Sequence, residues 1–367
     1  MDGDPAVEEL QAAAYTVPTD APEGDGTFAW DSTTLVLVKV RAGGTTGFGW
    51  TYGPAACSAL AEDLLSPVVL GMPALDVGRA SQAMAHATRN TPRPGTASYA
   101  ISAVDCALWD LKARLLHLPL HRLLGAVRDD VGIYGSGGFT TYSRSQLADQ
   151  LAGWVHGQGI PRAKIKIGES FGTREDRDVA RMRQARDAIG PGAALFVDAN
   201  GAYTAKQAIR VMQKVHDLDI SWFEEPVSSD NLAGLREVRG RVDADVAAGE
   251  YGTDLGYYWR MCAADALDCV QADVSRCGGI TGWLRIAALA AACNLEISGH
   301  CAPHMTVHAA AATPNFRHLE WFHDHVRIEN MFFDGCLDPQ GGELRPSSEP
   351  GNGLAIRTSS LEKFRVA

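Results

Sequence analysis

Three acids spaced 26 residues apart dominate the chemistry of this 367-residue sequence: Asp198, Glu224 and Glu250. Each closes a short apolar run, within Ala193 to Asp198, Ser221 to Glu224 and Val246 to Glu250. Such runs lack a helical period and read as strands buried on both faces. Enough sequence for one amphipathic helix separates them, so the pattern suggests parallel strands aiming three carboxylates at one place. Crowded anions repel, and a hard divalent cation removes that cost. The acids therefore predict a Mg2+ site at strand ends.

Other candidates sit at comparable positions. Lys164-Ile165-Lys166 places two lysines on one face of a strand, because residues two apart point the same way. Aimed into a common interior they repel, which predicts at least one depressed pKa and a neutral amine able to accept a proton. Lys166 is then the base, and Lys164 its tuning partner and a contact for a carboxylate. On an edge strand the same pair would be solvated and inert. His300 ends Glu296 to His300, the strand after the one carrying Asp273, and adjacent strand ends predict a hydrogen-bonded dyad. Glu320, closing Phe316 to Glu320, could meet a developing oxyanion or merely cap the next turn. Asn200, Cys301 and His304 are near by position, without a forced role.

The elements that must hold these residues follow a change of rhythm near residue 129. Beyond it, strands are predicted at 131–136, 163–168, 193–198, 220–225, 245–250, 268–274, 296–300 and 316–321. Helical patterns run between them, such as Ser145 to His156, Glu175 to Ile189, Ala205 to Leu218 and Gly282 to Ala292. Eight such strands predict a closed parallel barrel with its chemistry at the C-terminal strand ends. Residues 1–128 read instead as an α+β domain. It has strands at Thr33 to Val40 and after the turn within Gly43 to Trp50, and helices at Ala56 to Leu65 and Ser98 to Leu116. Residues 129–335 form the barrel domain, and 336–367 a tail predicted to return over the first domain. Gly135-Ser136-Gly137-Gly138 lacks the spacing and following helix of a dinucleotide fingerprint.

Composition narrows the function classes. Lys plus Arg number 33 against 44 Asp plus Glu, for a net charge of −11 with no basic block, which argues against nucleic acid or an anionic membrane as partner. The eight cysteines form no Cys-x-x-Cys pair, as expected of free thiols in a reducing compartment. No signal peptide or membrane-length apolar run is recognisable, so a cytoplasmic location is expected.

Together these motifs resemble the enolase superfamily, and within it the mandelate racemase branch. They are Lys164-x-Lys166, Asp198-Ala-Asn200, Glu224-Glu225-Pro226, Gly249-Glu250, Asp273, Gly-His300 and Leu-Glu320, with Ser102 to Ala113 resembling the branch's capping-domain helix. The resemblance implies a (β/α)7β modified TIM barrel under an N-terminal α+β capping domain. It also implies Mg2+-assisted removal of the proton α to a carboxylate through an ene-diolate. It assigns Asp198, Glu224 and Glu250 to the metal, with Glu225 not a ligand, and sets Lys166 opposite the His300/Asp273 dyad. Glu320 would donate to a carboxylate oxygen. A lysine on the sixth strand, the mark of the muconate cycloisomerase and dipeptide epimerase branches, is replaced by Asp273-Val274-Ser275-Arg276. Dehydration of a sugar acid to a 2-keto-3-deoxy acid is then the first expectation, racemisation of a 2-hydroxy acid the second, and a catalytically silent binding module the third. The substrate would be a small carboxylate and the assembly a homo-oligomer. Specificity is expected from Tyr15 to Trp30 and Trp50 to Gly53, meeting Tyr134, Phe139 and Trp321.

Overall fold

The computed structural model describes residues 4–367. Strands β1 (Glu9–Gly24), β2 (Ala29–Ala42) and β3 (Thr45–Tyr52) form one antiparallel sheet in chain order. Alternation along β2 gives it two apolar faces. Val36, Val38 and Val40 pack with Ala103, Ala107 and Leu111 of the helix Ser98–Leu115. Leu35 and Leu37 turn the other way, joining Tyr15, Val17 and Trp50 in the core shared with the barrel. The sheet is thus glued on one side to its own helices and on the other to the second domain.

That second domain is a closed barrel of eight parallel strands. They are β4 (Val131–Gly137), β5 (Arg162–Lys166), β6 (Ala194–Asp198), β7 (Ile220–Glu224), β8 (Asp245–Ala248), β9 (Cys269–Ala272), β10 (Glu296–Gly299) and β11 (Phe316–Phe322). Neighbours pair in that order, and β11 closes the ring on β4 through registers such as Leu319 with Ile133. Each predicted barrel strand is present with ends within two residues of expectation. Inside, Tyr134, Phe196, Trp222, Ala247 and Cys269 fill the lower layer, with His318 packed among the rings. This plug makes the barrel a core with one open end.

Two expectations need correction. The segment Tyr15 to Trp30 is not a loop: it is the end of β1, a short turn and the start of β2. Pro18 and Pro22 mask the strand, whose pairing with β2 shifts register between Pro18 and Glu23. Tyr134 and Trp321 do not reach the open end. Tyr134 lies one layer below it in the plug, while Trp321 neighbours the inward-facing Glu320 on β11 and packs against His304 outside.

The tail touches both domains. Glu343–Leu344 adds antiparallel to β4, Ala355–Ile356 pairs with Phe333–Asp334, and Val366 N–H donates to the Ala14 carbonyl at 2.8 Å. Among the described residues, no helix is long and apolar enough to cross a membrane.

Candidate active site and metal centre

The C-terminal ends of β5 to β11 bring the two lysines, the acids and His300 to one place, because each lies in the last three residues of its strand or within two residues after it. Asp198, Glu224 and Glu250 are all buried, and one oxygen from each lies within 4.8 Å of the others. Glu250 Oε2 is buried with no hydrogen-bond partner. Three oxygen donors, one of them unsatisfied, fit a hard divalent cation. Glu250 follows Gly249, whose φ is +133° and whose added Cβ would lie 2.2 Å from the Gln271 carbonyl, so only glycine permits the bend that delivers the acid. Glu225 turns away from this cluster with φ +40°, and its buried Oε1 is unpartnered.

The lysines interleave with the acids. Lys164 Nζ donates to both Glu224 oxygens at 2.6 Å and sits 2.7 Å from Glu320 Oε1. Lys166 Nζ donates to Asp198 Oδ2. The predicted depression of a lysine pKa is therefore corrected. Burial opposes the charged form of Lys164, but Glu224, Glu320 and Asp198 outweigh it and lift its pKa well above the ordinary lysine value. Lys166 is raised too, with Asp198 overcoming both burial and the Lys164 charge. Mutual repulsion loses because each ammonium has a carboxylate nearer than the other ammonium's influence can match.

The dyad forms. His300 Nδ1 meets Asp273 Oδ2 at 2.7 Å, and Asp273 Oδ1 accepts from the Ser275 N–H and hydroxyl at 2.6 Å each. Burial would discharge His300, but Glu250, Glu320 and Asp273 raise its pKa above the ordinary histidine value. Its Nε2 faces Glu250 Oε2 at 3.3 Å and Glu320 Oε2 at 3.6 Å. Glu320 takes the hydroxyl proton of Ser136 at 2.6 Å and the Cys301 N–H at 3.2 Å. Burial favours its neutral form, yet Lys164, His300 and Lys166 hold it well below the usual carboxylate range. As placed, its oxygens accept from Lys164, Ser136 and Cys301.

Lys166, Asn200, Glu250, His300, Cys301 and Glu320 line one cavity of about 380 Å³. That volume lies within the roughly 300–1,000 Å³ of small-molecule sites. A larger cavity, of about 850 Å³, lies between the helices Val77–Ala87 and Gly279–Ala292 and holds none of these residues. Chemistry, not volume, selects the smaller one. Its other side comes from the capping sheet, through Phe28, Trp30 and Tyr52, with Phe322 of β11 beside them. The turn carrying Phe28 rests on the barrel: a Cβ added at Gly26 would lie 2.7 Å from the Ile167 carbonyl and 2.9 Å from that of Ala199.

Sequence reasoning missed Ser136, Ser275, Arg276 and Phe322. The period-two rule that placed Glu320 inward also places Phe322 inward, and Ser275 sits two residues past Asp273 in an Asx-type turn. Phe139 does not line the cavity but backs it, edge-on to Trp30 and Phe322.

Comparison with known proteins gives the same frame. Residues 16–125 match the mandelate racemase/muconate lactonizing enzyme N-terminal domain, and residues 146–360 the enolase C-terminal domain-like family. A mandelate racemase/muconate lactonizing enzyme-like protein from Rubrobacter xylanophilus is 46% identical with a TM-score of 0.95, covering 99% of this chain and 100% of that one. The 3,6-anhydro-alpha-L-galactonate cycloisomerase of Streptomyces coelicolor is 30% identical over 98% of this chain and 99% of its own. The L-talarate/galactarate dehydratase of Salmonella typhimurium is 30% identical over 88% of this chain and 80% of its own. Its crystal structure liganded with Mg and L-lyxarohydroxamate superposes with a TM-score of 0.91 at 27% identity, covering 100% of this chain and 94% of that one.

Proposed function

The chain belongs to the mandelate racemase/muconate lactonizing enzyme family, and on that premise we propose that it is a Mg2+-dependent lyase of hydroxylated carboxylates. It removes the proton α to the carboxylate and expels the β-hydroxyl, leaving a 2-keto-3-deoxy acid. The observation that carries this reading is that Lys166 and His300, from strands on different sides of the acid cluster, line the same cavity. Mg2+ held by Asp198, Glu224 and Glu250 would steady the substrate carboxylate as its α-proton leaves and offset the acids that hold the lysines protonated.

Lys166 Nζ accepts the α-proton. Lys164 remains an ammonium between Glu224 and Glu320 and attracts the substrate carboxylate. His300, charged through Asp273, keeps a proton on Nε2 and gives it to the departing β-hydroxyl. The C–H bond electrons form the C2–C3 double bond, the C3–O pair leaves with the His300 proton as water, and the enol tautomerises to the ketone. Asn200, whose buried Oδ1 is unpartnered, accepts from a substrate hydroxyl. Where the β-oxygen belongs to a ring, the same elimination opens the ring without losing water. Where there is no leaving group, His300 returns the proton from its own side and the centre is racemised.

Proton NMR in D2O, with purified protein and Mg2+ over a panel of mono- and dicarboxylic sugar acids, anhydro sugar acids and aromatic 2-hydroxy acids, tests this. New 2-keto-3-deoxy signals support the lyase. Loss of the α-proton signal alone would replace it with racemisation, and a protein that binds these acids yet exchanges no α-proton would be a binding module.

A further inference from the structure

The two halves of the cavity differ in charge, and the far half is built to refuse it. The polar tips of its aromatic wall are turned away or already used. The Trp30 indole N–H donates to Glu23 at 2.9 Å, and the Tyr52 hydroxyl donates to Glu329 at 3.0 Å. The His325 ring stacks on Tyr52 with centroids 3.4 Å apart, and its Nδ1 accepts the Ala302 N–H at 3.3 Å. What Trp30 and Tyr52 show the cavity is carbon.

The cavity's cations already face carboxylates. Arg276 sits 3.3 Å from Asp273 and 3.5 Å from Glu250, Lys166 holds Asp198, and His300 holds Asp273. At the mouth, Asp25 accepts from Thr27 and Phe28 N–H groups and adds a negative charge where a second carboxylate would lie. A carboxylate pressed against Trp30, Tyr52 and Phe322 would lose its water and gain no partner from them.

Resting on the α-proton chemistry above, we propose that the substrate is a 2,3-dihydroxy monocarboxylic acid whose far end is apolar, a methyl-terminated deoxy sugar acid or an aryl-bearing acid, and that dicarboxylic sugar acids are rejected. The carboxylate and both hydroxyls lie on the barrel side, and the far end packs against Trp30, Tyr52 and Phe322.

Binding and turnover are measured separately. The Lys166→Ala variant with Mg2+ is titrated calorimetrically with stereochemically matched 6-deoxyaldonates, aldonates and aldarates, and with 2,3-dihydroxy-3-phenylpropanoate. In the configuration bound best, the deoxy or phenyl acid is expected to bind at least about tenfold more tightly than the aldarate. Equal or tighter aldarate binding overturns the proposal, whatever the wild-type enzyme does to either compound. Phe28→Arg places a cation at the exposed mouth, where folding is not at stake, since Phe28 is 68% exposed. It should shift that ratio toward the aldarate, and an unchanged ratio would count against the charge argument. Absence of wild-type turnover with the binding preference intact sinks the lyase reading alone.

Discussion

Two histidine–carboxylate pairs stand four residues apart in the chain and face different surroundings. His300 meets Asp273 at 2.7 Å, and His304 meets Glu329 at 2.5 Å. Both imidazoles are buried and both are held above the ordinary histidine pKa. The difference is what the second ring nitrogen faces. His300 Nε2 looks at Glu250 and Glu320 beside the cavity, whereas His304 Nε2 looks at the Leu337 carbonyl, at 3.4 Å. The carboxylates differ likewise. Glu329 also accepts from Trp50 at 3.1 Å and Tyr52 at 3.0 Å, so it ties the capping sheet to the barrel. In the proposed reaction, a charged dyad is thus a fastening by default and carries a proton only where its free nitrogen borders a cavity.

The comparison breaks most visibly at His300. His300→Asn should lower kcat by about 10²–10⁴-fold while thermal unfolding stays near wild type. A comparable loss from His304→Asn, with the fold intact, would erase the distinction. Glu329→Gln should do the opposite, costing about 3–5 kcal/mol in denaturant unfolding because a charged partner is left buried. A fully stable E329Q protein would show that the second pair fastens nothing.

pH sharpens the contrast. Burial lowers the His304 pKa, but Cys336 and Glu329 raise it to about 10, from an ordinary 6.5. A raised folded-state pKa means the native protein binds the proton more tightly than the unfolded chain. Its contribution is whole below about pH 6.5 and is lost as pH climbs toward 10. Chemical denaturation from pH 6 to 10 should show that decline, and E329Q should flatten it. The smallest effect is expected at Ser275→Ala, which removes one hydrogen bond to Asp273, worth about 1 kcal/mol, and should slow turnover by up to about tenfold while lowering stability by no more than that amount.

The same contrast explains what could be read from the chain. Asp198, Glu224, Glu250, Asp273 and His300 were legible because an acid or histidine ending an apolar strand has no packing reason to be there. Glu329 was not, since it lies on the helix His323–Phe332, where an acid is ordinary, and its partners are far away in sequence. The lysine charge states were misjudged because only the repulsion within one strand was counted, and the decisive carboxylates come from β6, β7 and β11. The far wall was legible as the segments Tyr15 to Trp30 and Trp50 to Gly53, but its polarity was not, because β1 hides behind prolines and Trp30 and Tyr52 reveal which end is polar only through partners elsewhere.

Gly26 carries one more consequence. It seats the turn of the capping sheet on bare carbonyls of Ile167 and Ala199, so the contact is indifferent to which side chains flank it. Residues 27–29 could then be exchanged for those of a relative, as a cassette, with Trp30 kept for its packing on Phe139 of the barrel. Catalytic machinery and substrate choice would be separately replaceable parts, joined at a glycine.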